Sequence, residues 1–375
     1  MNDRPDEPQK ESKNWKVPQV MATVGPTLEK GEDLKRAMEA GAAWFRLPCG
    51  YRQRPHLENA LAVRKAAQET GTTVQLLLDL PSSRPRTGNM TELRLNPGDR
   101  VLFWDPELTA GAPEKNGALV VPLPGLAELM DKLVPQQRMW FCDGRLNFVV
   151  DELLDAKVMT HMVHGTVPLK SSNSLFLPDS PSPFSAITPL DTKLLRTLVE
   201  GGVRPDWIAL SLIASPDDVR EARAAVTELM GEGVKMMAKF ETIAALEVAE
   251  EIIDVADGIM VARGDLGLAV GYIRLPEAQE NLVALARKAG KATVVATQVL
   301  EAFSETGLPQ RAELSDLSLV ARQRADAVML GKETVFSPRP IECIRLAREV
   351  LTYETRRFEK AGNRPKRAKA RTLTS

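Results

Sequence analysis

The chain has 375 residues, 43% of them hydrophobic, enough to bury one large core or two modest ones. Its 49 basic and 50 acidic residues leave a net charge of -1, which argues against a whole-protein footprint for nucleic acid or anionic membranes. A 26% charged, 5% aromatic composition is that of an ordinary globular protein, and three histidines leave little room for a histidine-based zinc site or triad.

The first 16 residues are charged, lack the apolar segment of a signal peptide, and are expected to be a disordered N-terminal segment. Short β-branched apolar runs then alternate with helical patterns, the signature of parallel βα units. The runs fall at 20–25, 43–49, 74–80, 207–213, 235–241, 258–265, 293–299 and 327–333. Helical patterns fall at 34–42, 57–70, 216–232, 243–255, 275–289 and 314–325. Eight strands, each followed by a helix, predict an α/β fold, a closed (β/α)8 TIM barrel.

The third unit is interrupted. Between residues 89 and 170 the pattern changes to short strands broken by Gly, Pro and Asn, at 93–103, 138–150 and 157–167, which predicts an inserted small β-rich domain after strand three. The expected organisation is therefore a barrel from 17–88 and 171–350, with the insert at 89–170. What remains for the barrel is roughly 250 residues, the usual size of this fold. A basic tail is expected over 351–375, where residues 356–371 hold eight Lys or Arg against one Glu; it reads more readily as a solvated tail than as a contact for nucleic acid. No apolar run approaches the ~18 residues of a membrane span. Cys49, Cys142 and Cys343 are far apart, so reduced thiols and a cytoplasmic location are expected.

In such a barrel the carboxyl ends of the strands line the active site. Strand five ends Lys239-Phe240-Glu241, and the period of two puts Lys239 and Glu241 on one face. Strand six ends Arg263-Gly264-Asp265. Two carboxylates beside a lysine suit a hard cation that also takes substrate oxygens, although a buried Lys–Glu pair could serve structure alone. Thr297 at the end of strand seven is placed to hydrogen-bond a substrate, or else to cap the helix that follows. Arg46 and Arg86 follow strands two and three, where guanidinium forks suit phosphate or carboxylate.

At these residues the chain resembles the pyruvate kinase family. The run Asp257-Gly258-Ile259-Met260-Val261-Ala262-Arg263-Gly264-Asp265-Leu266-Gly267, with Ala296-Thr297-Gln298 downstream, carries the likeness. Further segments match in order: Thr23-Val24-Gly25-Pro26, Arg46-Leu47, Leu78-Asp79 with Arg86-Thr87-Gly88, Ala238-Lys239-Phe240-Glu241, Arg311-Ala312-Glu313 and Met329 to Thr334. In the insert, Phe141-Cys142-Asp143-Gly144 resembles a lid-domain motif, with Asp143 a candidate site residue or a plain turn aspartate.

The resemblance implies Mg2+- or Mn2+-dependent phosphoryl transfer between phosphoenolpyruvate and ADP, giving pyruvate and ATP. It implies catalytic roles for Lys239, Thr297, Arg46 and Arg86, and metal ligation by Glu241 and Asp265. Substrate would meet Ala262, Arg263, Gly264, Asp265, Thr297 and Ser211, with the backbone of 262–264 cradling its carboxylate. Asp79 and Tyr51 would lie on the nucleotide side. The insert would act as a mobile lid.

The departures matter as much. Pro48-Cys49-Gly50-Tyr51 replaces the family's Asn-Phe-Ser-His, and Asp79-Leu80-Pro81-Ser82-Ser83-Arg84 replaces Asp-Thr-Lys-Gly-Pro-Glu, so two potassium ligands are lost and K+ is not expected. Arg84 stands where a glutamate is usual and is expected to replace the monovalent cation. On the nucleotide side, Ala214 and Asn173 replace an arginine and a lysine. The chain also ends soon after the eighth helix, so the resemblance implies a short form without the C-terminal regulatory domain.

Three readings follow: a potassium-independent pyruvate kinase; a Mg2+-enolate enzyme turned to aldol, decarboxylase or hydratase chemistry on a 2-oxo acid; or a metabolite-binding protein without activity. Retention of Lys239, Glu241 and Asp265 weighs against the last. Retention of Arg46, Asp79, Arg86 and Lys239 favours the first. The expected partners are a small-molecule substrate and a second copy of the chain, as dimer or tetramer, with neither membrane nor nucleic acid.

Overall fold

The computed structural model describes residues 15–50, 55–81, 84–108, 117–142, 144–178 and 186–362. Three strands come first: β1 (Gln19–Thr23), β2 (Ala42–Pro48) and β3 (Gln75–Leu80). A second group follows, β4 (Arg100–Trp104), β5 (Leu119–Pro122), β6 (Arg138–Phe141), β7 (Leu146–Leu154) and β8 (Lys157–Gly165). The last five are β9 (Trp207–Leu210), β10 (Lys235–Phe240), β11 (Gly258–Ala262), β12 (Ala292–Ala296) and β13 (Ala327–Leu330). The first three and last five close in the order β1-β13-β12-β11-β10-β9-β3-β2, all parallel, a (β/α)8 barrel. The middle five form a separate mixed sheet, β5-β4-β8-β7-β6.

Strand alternation builds two cores from one barrel. Residues such as Val20, Phe45, Leu78, Ile208, Ala238 and Val261 point outward and pack under the helices. The other set, including Met21, Trp44, Leu77, Trp207, Met237, Met260, Val294 and Met329, fills the barrel interior, with Trp44 and Trp207 5.3 Å apart. The inner rows then turn polar one step further along. Met21 is followed by Thr23, Trp44 by Arg46, Leu77 by Asp79, Ala209 by Ser211, and Met237 by Lys239 and Glu241. The floor of the mouth is therefore apolar and its rim charged.

The outer ring is α1 (Gly31–Glu39), α2 (His56–Thr70), α3 (Pro189–Glu200), α4 (Pro216–Met230), α5 (Ile243–Glu247), α6 (Ala249–Val255), α7 (Arg263–Val270), α8 (Leu275–Lys288), α9 (Glu301–Thr306), α10 (Arg311–Gln323), α11 (Lys332–Val335) and α12 (Pro340–Gly362). Several boundaries differ from expectation. The helix expected over 243–255 breaks at Val248 into α5 and α6. Helix α3 lies outside the expected helical patterns, although Thr188 and Asp191 form a capping box with Pro189 at its first turn. Helix α12 runs to Gly362, so the first part of the expected basic tail is regular helix. Trp15, inside the segment expected to be disordered, stacks on Phe358 at 5.8 Å and lies under Arg324.

The insert has its own core, centred on Phe103, Phe141 and Phe148, whose rings stack or meet edge-on at 5.2–5.8 Å. The strand expected over 138–150 is two strands, β6 and β7, separated by a turn in which Cys142 and Gly144 take positive φ. Its two connections to the barrel pair with each other, Arg86 opposite Ser174, and the return segment pairs with edge strand β6 through Trp140 and Phe176.

Candidate active site

Lys239 sits at the centre of the rim. Its ammonium donates to Asp79 Oδ1 at 3.0 Å and Ser211 Oγ at 2.7 Å, and lies 3.0 Å from Glu241 Oε1. Three strands supply these partners: β3 carries Asp79, β10 carries Lys239, and Ser211 follows β9. Burial alone would lower the Lys239 pKa, but Asp79 and Glu241 outweigh it and hold the amine above its ordinary value. Burial would likewise raise Asp79; Lys239 and Arg46 outweigh it and hold the carboxyl below its usual range. Arg46 donates through Nε to Asp79 Oδ2 at 2.7 Å and through Nη1 to Thr23 at 3.3 Å.

Glu241 and Asp265 form the second half. The expectation that Asp265 ends a strand is corrected: β11 stops at Ala262, and Asp265 stands in the first turn of α7, where the amino end of a helix favours a carboxylate. The Leu212 amide donates to Glu241 Oε2 at 2.7 Å. Burial lifts the Glu241 carboxyl above its ordinary value and the Asp265 charge adds to the lift, with Lys239 opposing both. Burial would also raise Asp265, but the Arg84 guanidinium holds it low. That contact is a fork, Nη1 to Oδ1 at 3.2 Å and Nη2 to Oδ2 at 3.3 Å. Arg84 thus pairs with the α7 carboxylate, while Asp79 is taken by Arg46 and Lys239.

These groups open on one cavity of about 200 Å³, lined by Arg46, Pro48, Gly50, Asp79, Pro81, Arg84, Arg86, Ser211, Lys239, Glu241 and Asp265. Arg86 reaches it while donating to the Ser172 carbonyl at 3.1 Å. Four cations face three carboxyl groups, a balance suited to a polyanionic ligand. The donor set also fits a divalent cation. Glu241, whose carboxyl burial raises first and the Asp265 charge second, stands beside a second carboxyl, and a cation between the two would turn their mutual repulsion into attraction. Among the described residues no group of three or more His, Cys, Asp or Glu is arranged to hold a metal. Mg2+, which accepts one or two carboxylates and completes its shell with water and substrate oxygens, matches that inventory.

The third part is the turn after β12. Thr297 and Gln298 both have positive φ, +72° and +53°, a costly state for a β-branched residue. Thr297 is no helix cap, because α9 starts only at Glu301. Its hydroxyl instead accepts from the Gly264 amide at 3.1 Å, beside Ala262 and Asp265. The substrate expectation at Arg263 concerns its backbone; its side chain is a strut that donates to the carbonyls of Ala296, Thr297 and Gln298 and, through Nη1, to both Asp316 oxygens at 2.7 and 2.8 Å. Asp316 escaped the sequence reading because nothing on its amphipathic helix distinguishes it from a surface aspartate. Tyr51 and Asp143 lie outside the described residues.

The fold and this rim define a (β/α)8 barrel protein with a charged mouth at the carboxyl ends of its strands. The sequence model of the pyruvate kinase barrel domain matches residues 15–344. The chain is 33% identical over 339 residues to the pyruvate kinase of Agrobacterium vitis and 31% identical over 337 residues to that of Methylorubrum extorquens, in each case 88% of this chain and 68% of the relative. The pyruvate kinase of Thermococcus litoralis is 29% identical over 334 residues, again 88% and 68%. The chain belongs to the pyruvate kinase family, and with it to the phosphotransferases. Among the described residues no helix is long and apolar enough to cross a membrane.

Proposed function

We propose that the chain transfers a phosphoryl group between phosphoenolpyruvate and ADP, yielding pyruvate and ATP, with Mg2+ or Mn2+ and without potassium. The observation that carries this reading is the buried Lys239, held protonated among Asp79, Glu241 and Ser211 at the edge of a cavity with Arg46, Arg84 and Arg86. Phosphoryl transfer spreads charge over equatorial oxygens, and preorganised cations in a desolvated mouth are most of what it requires.

Arg46 and Arg86 would hold the phosphate, and Lys239 would meet the charge that develops on the transferring group and on the enolate oxygen. The amides at 262–264 would orient the carboxylate, and the Thr297 hydroxyl would stand near the carbon that gains the proton. Glu241 and Asp265 would hold the divalent cation, which supplies Lewis-acid neutralisation of phosphoryl and enolate oxygens. Pro48, Gly50 and Pro81 offer no side-chain oxygen on the wall beside Asp79, which supports an activity indifferent to K+. The fixed charge of Arg84 supports it further.

The test is pyruvate release from phosphoenolpyruvate with ADP and Mg2+, with and without K+. Turnover unaffected by K+ is the expected result, and Lys239→Met is expected to lower it about 1,000-fold or more, as for loss of a principal charge stabiliser. Absent turnover alongside metal-dependent binding of oxalate, an enolate mimic, would replace phosphoryl transfer with carbon chemistry on a 2-oxo acid.

A further inference from the structure

The Arg84–Asp265 fork has a consequence for the cation. Both Asp265 oxygens accept from the guanidinium, one each, so no oxygen on that carboxylate is without a charged donor. A cation that uses Asp265 must take at least one of them. We infer that Arg84 is a resident counter-cation that competes with the divalent metal for Asp265, so that an entering metal must share the forked oxygens with a guanidinium whose charge opposes it. The inference rests on the assignment of Glu241 and Asp265 as the metal carboxylates.

The guanidinium is anchored where it stands. It lies over the Phe176 ring at 5.5 Å, and the Arg84 side chain is only 10% exposed. Phe176 is itself backed by Trp140, at 6.3 Å between rings, and exchanges both backbone hydrogen bonds with it, at 2.8 Å each. The backbone around Arg84 is equally constrained. Pro85 follows it, restricting Arg84 to extended conformations, the Leu175 amide donates to the Pro85 carbonyl at 2.9 Å, and Arg86 pairs with Ser174. A guanidinium tied to the root of the insert cannot follow an incoming cation's charge away into solvent. It stays close and repels it, and Asp265 must share its single negative charge between two cations. In the metal-free protein the same contact neutralises Asp265 beside the buried Glu241, which stabilises the rim before any ligand arrives.

The experiment is titration of the full-length protein with Mn2+, read by paramagnetic resonance of the free ion, so that no turnover is needed. Arg84→Gln is expected to bind Mn2+ more tightly than wild type by about tenfold, the scale of one charge-assisted hydrogen bond. Arg84→Lys keeps the charge but cannot fork both oxygens, so it should fall between the two; it decides the matter if Arg84→Gln does not fold. Glu241→Gln, run alongside, should lose Mn2+ binding. If it does and neither Arg84 variant binds more tightly than wild type, the competition is overturned and the metal assignment stands. If Glu241→Gln binds as wild type does, the metal assignment itself fails, and this inference with it.

Discussion

At the residue scale, the rim depends on how three buried charges share one another. Asp79 accepts from both Arg46 and Lys239, so its folded-state pKa is depressed below the ordinary 3.8. A depressed carboxyl contributes stability that is present above 3.8 and lost as pH falls through its lower folded value. Asp79→Asn should therefore destabilise the protein by about 3–5 kcal/mol at neutral pH, because it leaves Arg46 without its buried counter-ion. The gap to wild type should narrow on acidification below that value; thermal melts of both proteins across pH 2.5–7 check this. Half of the rim is legible in the sequence. Period-two alternation put Lys239 and Glu241 together, and their strand-end position marked them as site residues. Nothing local joined Arg84 to Asp265, which are 181 residues apart, or Arg263 to Asp316, 53 apart. Long flexible side chains find partners only once the barrel has closed.

At the element scale, strands were read more reliably than the ends of helices. All eight barrel strands fall within the expected runs or a residue beyond them, because continuous β-branched stretches bounded by turns have few other uses. The short pieces were missed: α5 and α6 read as one helix, α7 as the end of a strand. The eight residues of α7, directly after β11, contain two glycines and carry no clear amphipathic signal. Closure of the barrel also fixes where small residues are needed. A Cβ on Gly258 would meet the Ala292 Cβ and carbonyl oxygen at 3.0 Å and Trp207 at 3.1 Å. Two of those contacts come from β12 and its backbone, which cannot yield. Gly258→Ala is expected to cost about 1–3 kcal/mol by overpacking, read as a lowered melting temperature without a change in circular dichroism at 25 °C.

At the scale of the whole molecule, the barrel and the insert have separate cores, joined by two connections that pair with each other. Truncating Phe148, buried against Phe103 and Phe141, should cost the insert about 3–5 kcal/mol. The expected outcome for Phe148→Ala is faster hydrogen exchange across β4 to β8 with protection retained in β1 and β9 to β13. Loss of protection throughout would show one cooperative unit instead. Either result bears on the proposed lid, since an insert that opens as a unit can exclude water from the mouth without disturbing the rim.

The sequence by itself determined the barrel, the presence of an insert after the third strand, and the strand-end positions of Arg46, Lys239 and Glu241; Asp79 entered through the family resemblance, and Asp265 stands on a helix instead of a strand end. Periodicity and strand-end position are local properties, written into consecutive residues. Tertiary structure alone decided which charge faces which. It gave Arg84 to Asp265 and left Asp79 to Arg46 and Lys239, tied the Arg263 side chain to Asp316, and set Phe176 under Arg84. Those pairings depend on barrel closure and on the angle at which the insert returns, quantities no window of sequence contains.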